Sequence, residues 1–83
     1  MTMLYFAWVR EMVGTDREAV VVPDGVETVS ALLDWLAGRS DGHAAALADR
    51  SRIRVALDDD YVQPEALIAG AREVAIFPPV TGG

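Results

Sequence analysis

One amphipathic stripe sets the frame for this 83-residue chain. Between Thr28 and Ala37, the residues Val29, Leu32, Leu33 and Leu36 recur at i, i+3, i+4 and i+7, a single apolar face on a helix. Thr28 is suited to cap its N-terminus and Gly38 to stop it. No other segment has so clear a helical period, and most other apolar residues fall in short runs with strand character. A chain of this length buries only about 60–65% of its unfolded surface, so the helix and a sheet must share one core. One main helix covers one face of a sheet. The other face is expected to stay open.

Met3 to Val9 (MLYFAWV) reads as the first strand, rich in apolar and aromatic residues. Alternation puts Leu4, Phe6 and Trp8 on one side and Met3, Tyr5, Ala7 and Val9 on the other. Both sets are apolar, as in a strand that is covered twice or that shows one face to a partner. Residues 11–14 read as a brief turn, with Gly14 free to take positive φ. Glu18 to Val22 is a second strand, stopped by Pro23–Asp24–Gly25. His43 to Ala48 suits a short second helix, Ile53 to Leu57 a third strand, and Asp58–Asp59–Asp60 a turn. Tyr61–Val62 returns, and Glu73 to Phe77 is the last strand. A hairpin followed by a helix that crosses to further strands is an α+β arrangement. It describes a ubiquitin-like β-grasp: a mixed sheet, one main helix packed on one face, a body over residues 1–77 and an extended C-terminal tail over 78–83. Tyr5, Ala7, Val9, Val74 and Ile76 are expected to face the helix. Phe6, Trp8, Tyr61 and Phe77 are expected to form an open patch.

Composition removes several chemistries. The chain has no cysteine, hence no disulfide framework and no thiolate metal site. His43 is the only histidine, which argues against a zinc site, and no sequence neighbour marks it as part of a nucleophilic triad. The formal charge is −6, which disfavours nucleic acid and suits partners with a basic docking face. All seven cationic side chains are arginines. Two readings of the missing lysine stay open: a compositional bias without consequence, or a surface with no side-chain amine to attack an activated carboxylate. The N-terminal apolar run lacks a basic leader and meets Arg10–Glu11 at once, so it is not read as a signal peptide. No segment approaches the roughly 20 apolar residues that span a bilayer. A cytoplasmic protein without a membrane partner is the expectation.

The chain ends Phe77-Pro78-Pro79-Val80-Thr81-Gly82-Gly83. Two prolines end the strand, lack N–H donors and stiffen the exit into an extended path. Six extended residues reach about 20 Å, enough to enter a narrow pocket on another protein. Glycine lets the backbone approach closely, and the one functional group at the tip is the carboxylate of Gly83. A carboxylate becomes reactive after adenylation, and sulfide delivered to the acyl-adenylate gives a thiocarboxylate. A chain without cysteine has no persulfide of its own, so any sulfur it carries belongs on Gly83. Terminal Gly–Gly alone is a weak signal. The Pro-Pro-Val-Thr-Gly-Gly run directly after the last strand is far more specific.

These residues resemble the family of small subunits of molybdopterin synthase, sulfur carriers related to the thiamine sulfur carrier. The likeness covers almost the whole chain. It is strongest in Phe6-Ala7-Trp8-Val9-Arg10-Glu11, Thr28-Val29-Ser30-Ala31-Leu32 and Glu73 to Gly83. It implies that a ubiquitin-activating-type adenylyltransferase uses ATP to adenylate Gly83 and that a sulfur donor enzyme converts it to a thiocarboxylate. It further implies that Pro78, Pro79, Val80, Thr81 and Gly82 enter a large subunit, where sulfur passes to cyclic pyranopterin monophosphate. That large subunit would hold the catalytic side chains, in an assembly of two small and two large subunits, and this chain would bind no cofactor itself. Phe6, Tyr61 and Phe77 fall where the family has a hydrophobic docking surface, and Arg10 matches a charged position beside it. Trp8 stands where the family commonly has a polar residue.

Two departures stand out. Asp58-Asp59-Asp60 replaces a turn that usually carries asparagine, and it lacks the ligand spacing of a calcium loop. Gly70-Ala71-Arg72-Glu73 is one residue longer than the usual approach to the last strand, which predicts a bulge or altered turn. Three rivals remain at this level: a carrier for thiamine or cysteine synthesis, a ubiquitin-like protein modifier, and an interaction domain with an inert tail.

Overall fold

A computed structural model describes residues 1–79 of the chain. Its elements run β1 (Thr2–Tyr5), α1 (Ala7–Val13), β2 (Arg17–Ala19), α2 (Val29–Ala37), α3 (Asp41–Ala46), a 3₁₀ turn (Arg50–Arg52), β3 (Arg54–Leu57), β4 (Asp60–Val62) and β5 (Glu73–Phe77). The five strands form one sheet in the order β2-β1-β5-β3-β4. The central pair β1 and β5 is parallel, and the other neighbours are antiparallel. This mixed sheet, with helices packed against it, is the expected β-grasp.

The apolar stripe organises the core as its spacing implies. Val29, Leu32, Leu33 and Leu36 of α2 are buried against Met3, Tyr5, Val55, Leu57, Val74 and Ile76 of the sheet. The Thr28 side chain accepts a hydrogen bond from Ala31 N at 3.1 Å, which satisfies one of the orphan donors at the helix start. Ser40 caps α3 in the same way through His43 N.

The first strand is shorter than its sequence suggests. β1 ends at Tyr5, Phe6 N–H gives one more hydrogen bond to Ile76 O, and Val9 N–H then turns back to Phe6 O. Ala7 makes the reversal at φ 53, and it is exposed instead of facing α2. The helical path buries Val9 completely at one end of the core. Residues 11–13, expected as a turn, are the last turn of α1. Gly14 closes it at φ 98 with its N–H on Arg10 O, so its positive φ stands as expected. The sheet is therefore served by α1 and α3 as well as by the main helix. α3 lies so close to α1 that a Cβ on Gly42 would run into the Met12 carbonyl oxygen.

Two turns explain the departures noted in the sequence. Asp58 and Asp59 lie at φ 47 and 73, the left-handed pair of a two-residue hairpin between β3 and β4. The longer loop before β5 turns at Gly70, φ 83, and its last N–H groups reach the Asp58 carboxylate. No helix among the described residues is long and apolar enough to cross a membrane.

Candidate functional site

The site begins where β5 leaves the sheet. Its neighbours stop beside it: Tyr5 of β1 is level with Ile76, and Arg54 of β3 with Phe77. Pro78 and Pro79 follow, half-buried and without N–H groups to extend either ladder. The remaining tail residues Val80, Thr81, Gly82 and Gly83 lie outside the described residues.

The face of the sheet turned away from α2 is open at this end. Alternation sets Leu4, Ala75, Ala56 and Tyr61 in one row across β1, β5, β3 and β4, opposite to the buried Met3, Val74, Val55 and Ile76. Phe77 stands on the same face one step nearer the exit, with its ring 5.2 Å from that of Tyr61. Tyr61 is 74% exposed. Ala56 and Ala75 are small, and beside the two rings the exposed Arg54, paired with Phe77, also projects from this face near the exit. A flat apolar area beside an extended peptide suits a protein partner.

The other expected patch residues are arranged differently. Phe6, 48% exposed, caps α1 beside the end of β5, and its ring is not stacked on the Tyr61–Phe77 pair. Trp8 is not on a strand and does not extend the open face. It lies half-buried on α1, with the Arg52 guanidinium 4.7 Å from its ring centroid. Arg10 is exposed on the same helix, its guanidinium 3.7 Å from the Glu11 carboxylate.

A buried polar cluster escaped the sequence reading. Tyr5 OH donates to Glu18 Oε1 at 2.7 Å, and His43 Nε2 is 2.6 Å from the same oxygen. Ser40 Oγ is 2.6 Å from His43 Nδ1, and Arg39 Nε is 3.9 Å from Glu18. His43 therefore has close partners, which its sequence neighbours did not mark. Glu18 is 25 residues away from it in the chain, and no local pattern connects them. Ser40, three residues before His43, was the one readable signal, as a cap. Burial pushes the Glu18 carboxyl up, but the Tyr5 hydroxyl, the His43 ring and Arg39 together hold it below its ordinary value. Burial, and then the bond to Glu18, push the Tyr5 hydroxyl above its usual range. Every member is satisfied within the cluster, which holds β1, β2 and α3 together.

A groove between α2 and β3–β4, lined by Val29, Leu33, Val55 and Val62, offers little for chemistry. Its arginines are engaged: Arg50 with Asp34 and Leu47 O, Arg54 with Ser51 O and Ile53 O.

The sequence and the fold resemble those of known proteins. The model of the ThiS family matches residues 3–83. The chain is 43% identical over 81 residues to the molybdopterin synthase sulfur carrier subunit of Escherichia coli (strain K12), covering 98% of this chain and 96% of that one. It is 35% identical over 83 residues to the protein of the same name from Haemophilus influenzae, covering 100% and 99%. The crystal structure of SAMP1 from Haloferax volcanii superposes with a TM-score of 0.73 at 33% identity, over 100% of this chain and 98% of that one. A sheet order built around parallel β1 and β5, and a sequence match that runs from the first strand through the Gly–Gly tail, lead to one conclusion: the chain belongs to the ThiS family.

Proposed function

We propose that this chain is the sulfur-carrier subunit of a molybdopterin synthase and that Gly83 carries the sulfur. The observation that carries this reading is the extent of the match. Both bacterial relatives bear that name, and the likeness covers nearly their whole length.

The chemistry needs little from the body of the protein. A partner adenylyltransferase uses ATP to convert the Gly83 carboxylate into an acyl-adenylate, releasing pyrophosphate. A sulfide equivalent from a sulfur donor enzyme attacks the acyl carbon, the bond to AMP breaks, and a thiocarboxylate remains. In the large subunit the sulfur passes to cyclic pyranopterin monophosphate, and water returns the carboxylate. A dithiolene holds two sulfurs, so each product consumes two charged chains, in keeping with an assembly of two small and two large subunits. The tail Pro78, Pro79, Val80, Thr81 and Gly82 reaches the partner's pocket, while Tyr61, Phe77 and Phe6 dock beside its mouth. A cytoplasmic setting fits the ATP and sulfide equivalents the cycle draws on.

The test is intact mass spectrometry. Incubation with ATP, the activating enzyme and a sulfur source should raise the mass by the difference between one sulfur and one oxygen atom. Addition of the large subunit and the pyranopterin precursor should then restore it. An unchanged mass with a competent activating enzyme rejects the reading. A second reading, a protein modifier, draws on the likeness to SAMP1, whose solved structure is that of a small archaeal modifier protein. It requires isopeptide adducts of the chain on other proteins, visible as branched Gly–Gly remnants after digestion.

A further inference from the structure

Trp8 and Arg52 come from the two segments that flank β5. Trp8 follows β1 and Arg52 precedes β3, and these two strands pair with β5 on its opposite sides. Both strands end their pairing at the level of Ile76 and Phe77, and neither flank continues as a strand. The β1 side turns into α1, and the β3 side begins in the 3₁₀ turn. Trp8 lies three residues beyond Tyr5 and Arg52 two residues before Arg54, the terminal paired residues on the two sides of β5. There the flanks are joined by the guanidinium of Arg52, 4.7 Å from the Trp8 ring centroid. Among the described residues, Arg52 forms no ion pair, and its side chain makes no hydrogen bond. The stack is thus its main fixed contact. Pro78 and Pro79 remain half-buried although they have left the sheet.

We propose that the Trp8–Arg52 pair is a clasp across the end of β5 that fixes the direction in which Pro78 and Pro79 lead the tail away. Trp8 and Arg52 are positioning residues, acting through the two prolines. Without the pair, the hydrogen-bonded ladders end at Phe77, and only φ of each proline is set by its ring. With it, the flanks on both sides of the exit hold a common spacing, and the tail starts from one path. Starting from one path lowers the ordering cost of entering a narrow pocket. The functional consequence rests on the sulfur-carrier reading, whereas the clasp itself does not.

The absence of cysteine allows both parts to be tested. A fluorophore on a Thr81→Cys variant reports the motion of the tail through its anisotropy. Arg52→Leu and Trp8→Leu should each lower that anisotropy, while Arg52→Lys, which keeps a cation over the ring, should restore most of it. Arg39→Leu removes the other arginine–tryptophan stack, Arg39 on Trp35 at 5.1 Å, and should leave the anisotropy unchanged. In chains with the native tail, charged with sulfur, Arg52→Leu should lower kcat/KM for transfer about two- to five-fold, the factor expected of one exposed cation–π pair. The affinity of a chain lacking the whole tail, Pro78 to Gly83, for the large subunit should not change with Arg52→Leu. Equal anisotropy in parent and Arg52→Leu, with both folded by circular dichroism, overturns the clasp. A parallel loss of docking affinity in the truncated chain also overturns it, because Arg52 then acts as a contact. If the parent never acquires sulfur, the sulfur-carrier reading fails, and the anisotropy series alone decides the clasp.

Discussion

Asp58 and Glu73 hold each other at two points: Glu73 N–H donates to Asp58 Oδ1 at 2.9 Å, and Asp58 N–H donates to Glu73 C=O at 3.0 Å. Arg72 N–H adds a third bond to the same carboxylate oxygen at 3.0 Å. Two departures from the family pattern thus meet in one contact. The aspartate turn supplies the acceptor for the N–H groups that close the longer loop before β5.

Asp58→Ala should therefore cost about 1.5–3 kcal/mol, since charge-assisted bonds to the backbone are lost. Alanine in the left-handed region at φ 47 adds about 1 kcal/mol. Asp58→Asn keeps an oxygen acceptor and tolerates that φ, so its loss should stay within about 1 kcal/mol. Thermal unfolding separates the two, because each kcal/mol moves the midpoint by about 4–8 °C in a domain of this size. Equal losses for alanine and asparagine would exclude the carboxylate oxygen as the cause.

The Tyr5–Glu18–His43 cluster should give stability a pH dependence at both ends. Glu18 has a native pKa below its ordinary 4.5, so its contribution is complete above that value and falls away as pH drops through the lower native one. Tyr5 has a native pKa above its ordinary 10.0, so its contribution is complete below pH 10.0 and declines as pH rises further. Tyr5→Phe should cost about 0.5–1.5 kcal/mol at neutral pH, the net value of one hydrogen bond. Urea unfolding across pH should show the gap between parent and Tyr5→Phe narrowing above pH 10.0. The gap to Glu18→Gln should narrow below pH 4.5.

Gly42→Ala sets two effects against each other. Alanine in a helix is favoured over glycine by about 1 kcal/mol from propensity alone. Here the new Cβ meets the Met12 carbonyl oxygen, a backbone atom in α1 that cannot swing aside. Overpacking of this kind costs about 1–3 kcal/mol, so the substitution should destabilise on balance. A midpoint above that of the parent would show that α1 and α3 can separate without loss.

Most of the body could be read from residue pattern, and the limits of that reading have physical causes. The α2 stripe, the Thr28 cap and the last strand stand where spacing placed them, because burial on one face forces a period that the sequence must display. Met3 to Val9 misled because Phe6-Ala7-Trp8 contains no glycine, proline or asparagine to mark a reversal. Ala7 takes φ 53 without such a signal, held by the Phe6–Ile76 hydrogen bond before it and the burial of Val9 after it. That one bend moved Trp8 and Arg10 from the sheet to a helix. At the site, Phe77 and Tyr61 were readable by alternation. The Trp8–Arg52 pair and the Glu18–His43 pair were not, because each joins residues far apart in the chain.

Phe77→Glu tests the open face most directly. Its ring rests on Tyr61, a residue 74% exposed, on the side of the sheet away from α2. The fold gains little from that contact, so the melting temperature should stay within a few degrees of the parent. Affinity for the large subunit should fall by about tenfold or more, as for an aromatic anchor near the centre of an interface. Tyr61→Ala should weaken docking too, and the double variant should lose less than the sum of the singles, because the two rings form one contact surface. Docking measured by calorimetry with the tail removed keeps the result independent of sulfur chemistry. If Phe77→Glu instead unfolds the protein, the ring belongs to the core. Docking on the sheet would then rest on Tyr61, with Arg54 beside it on the same face.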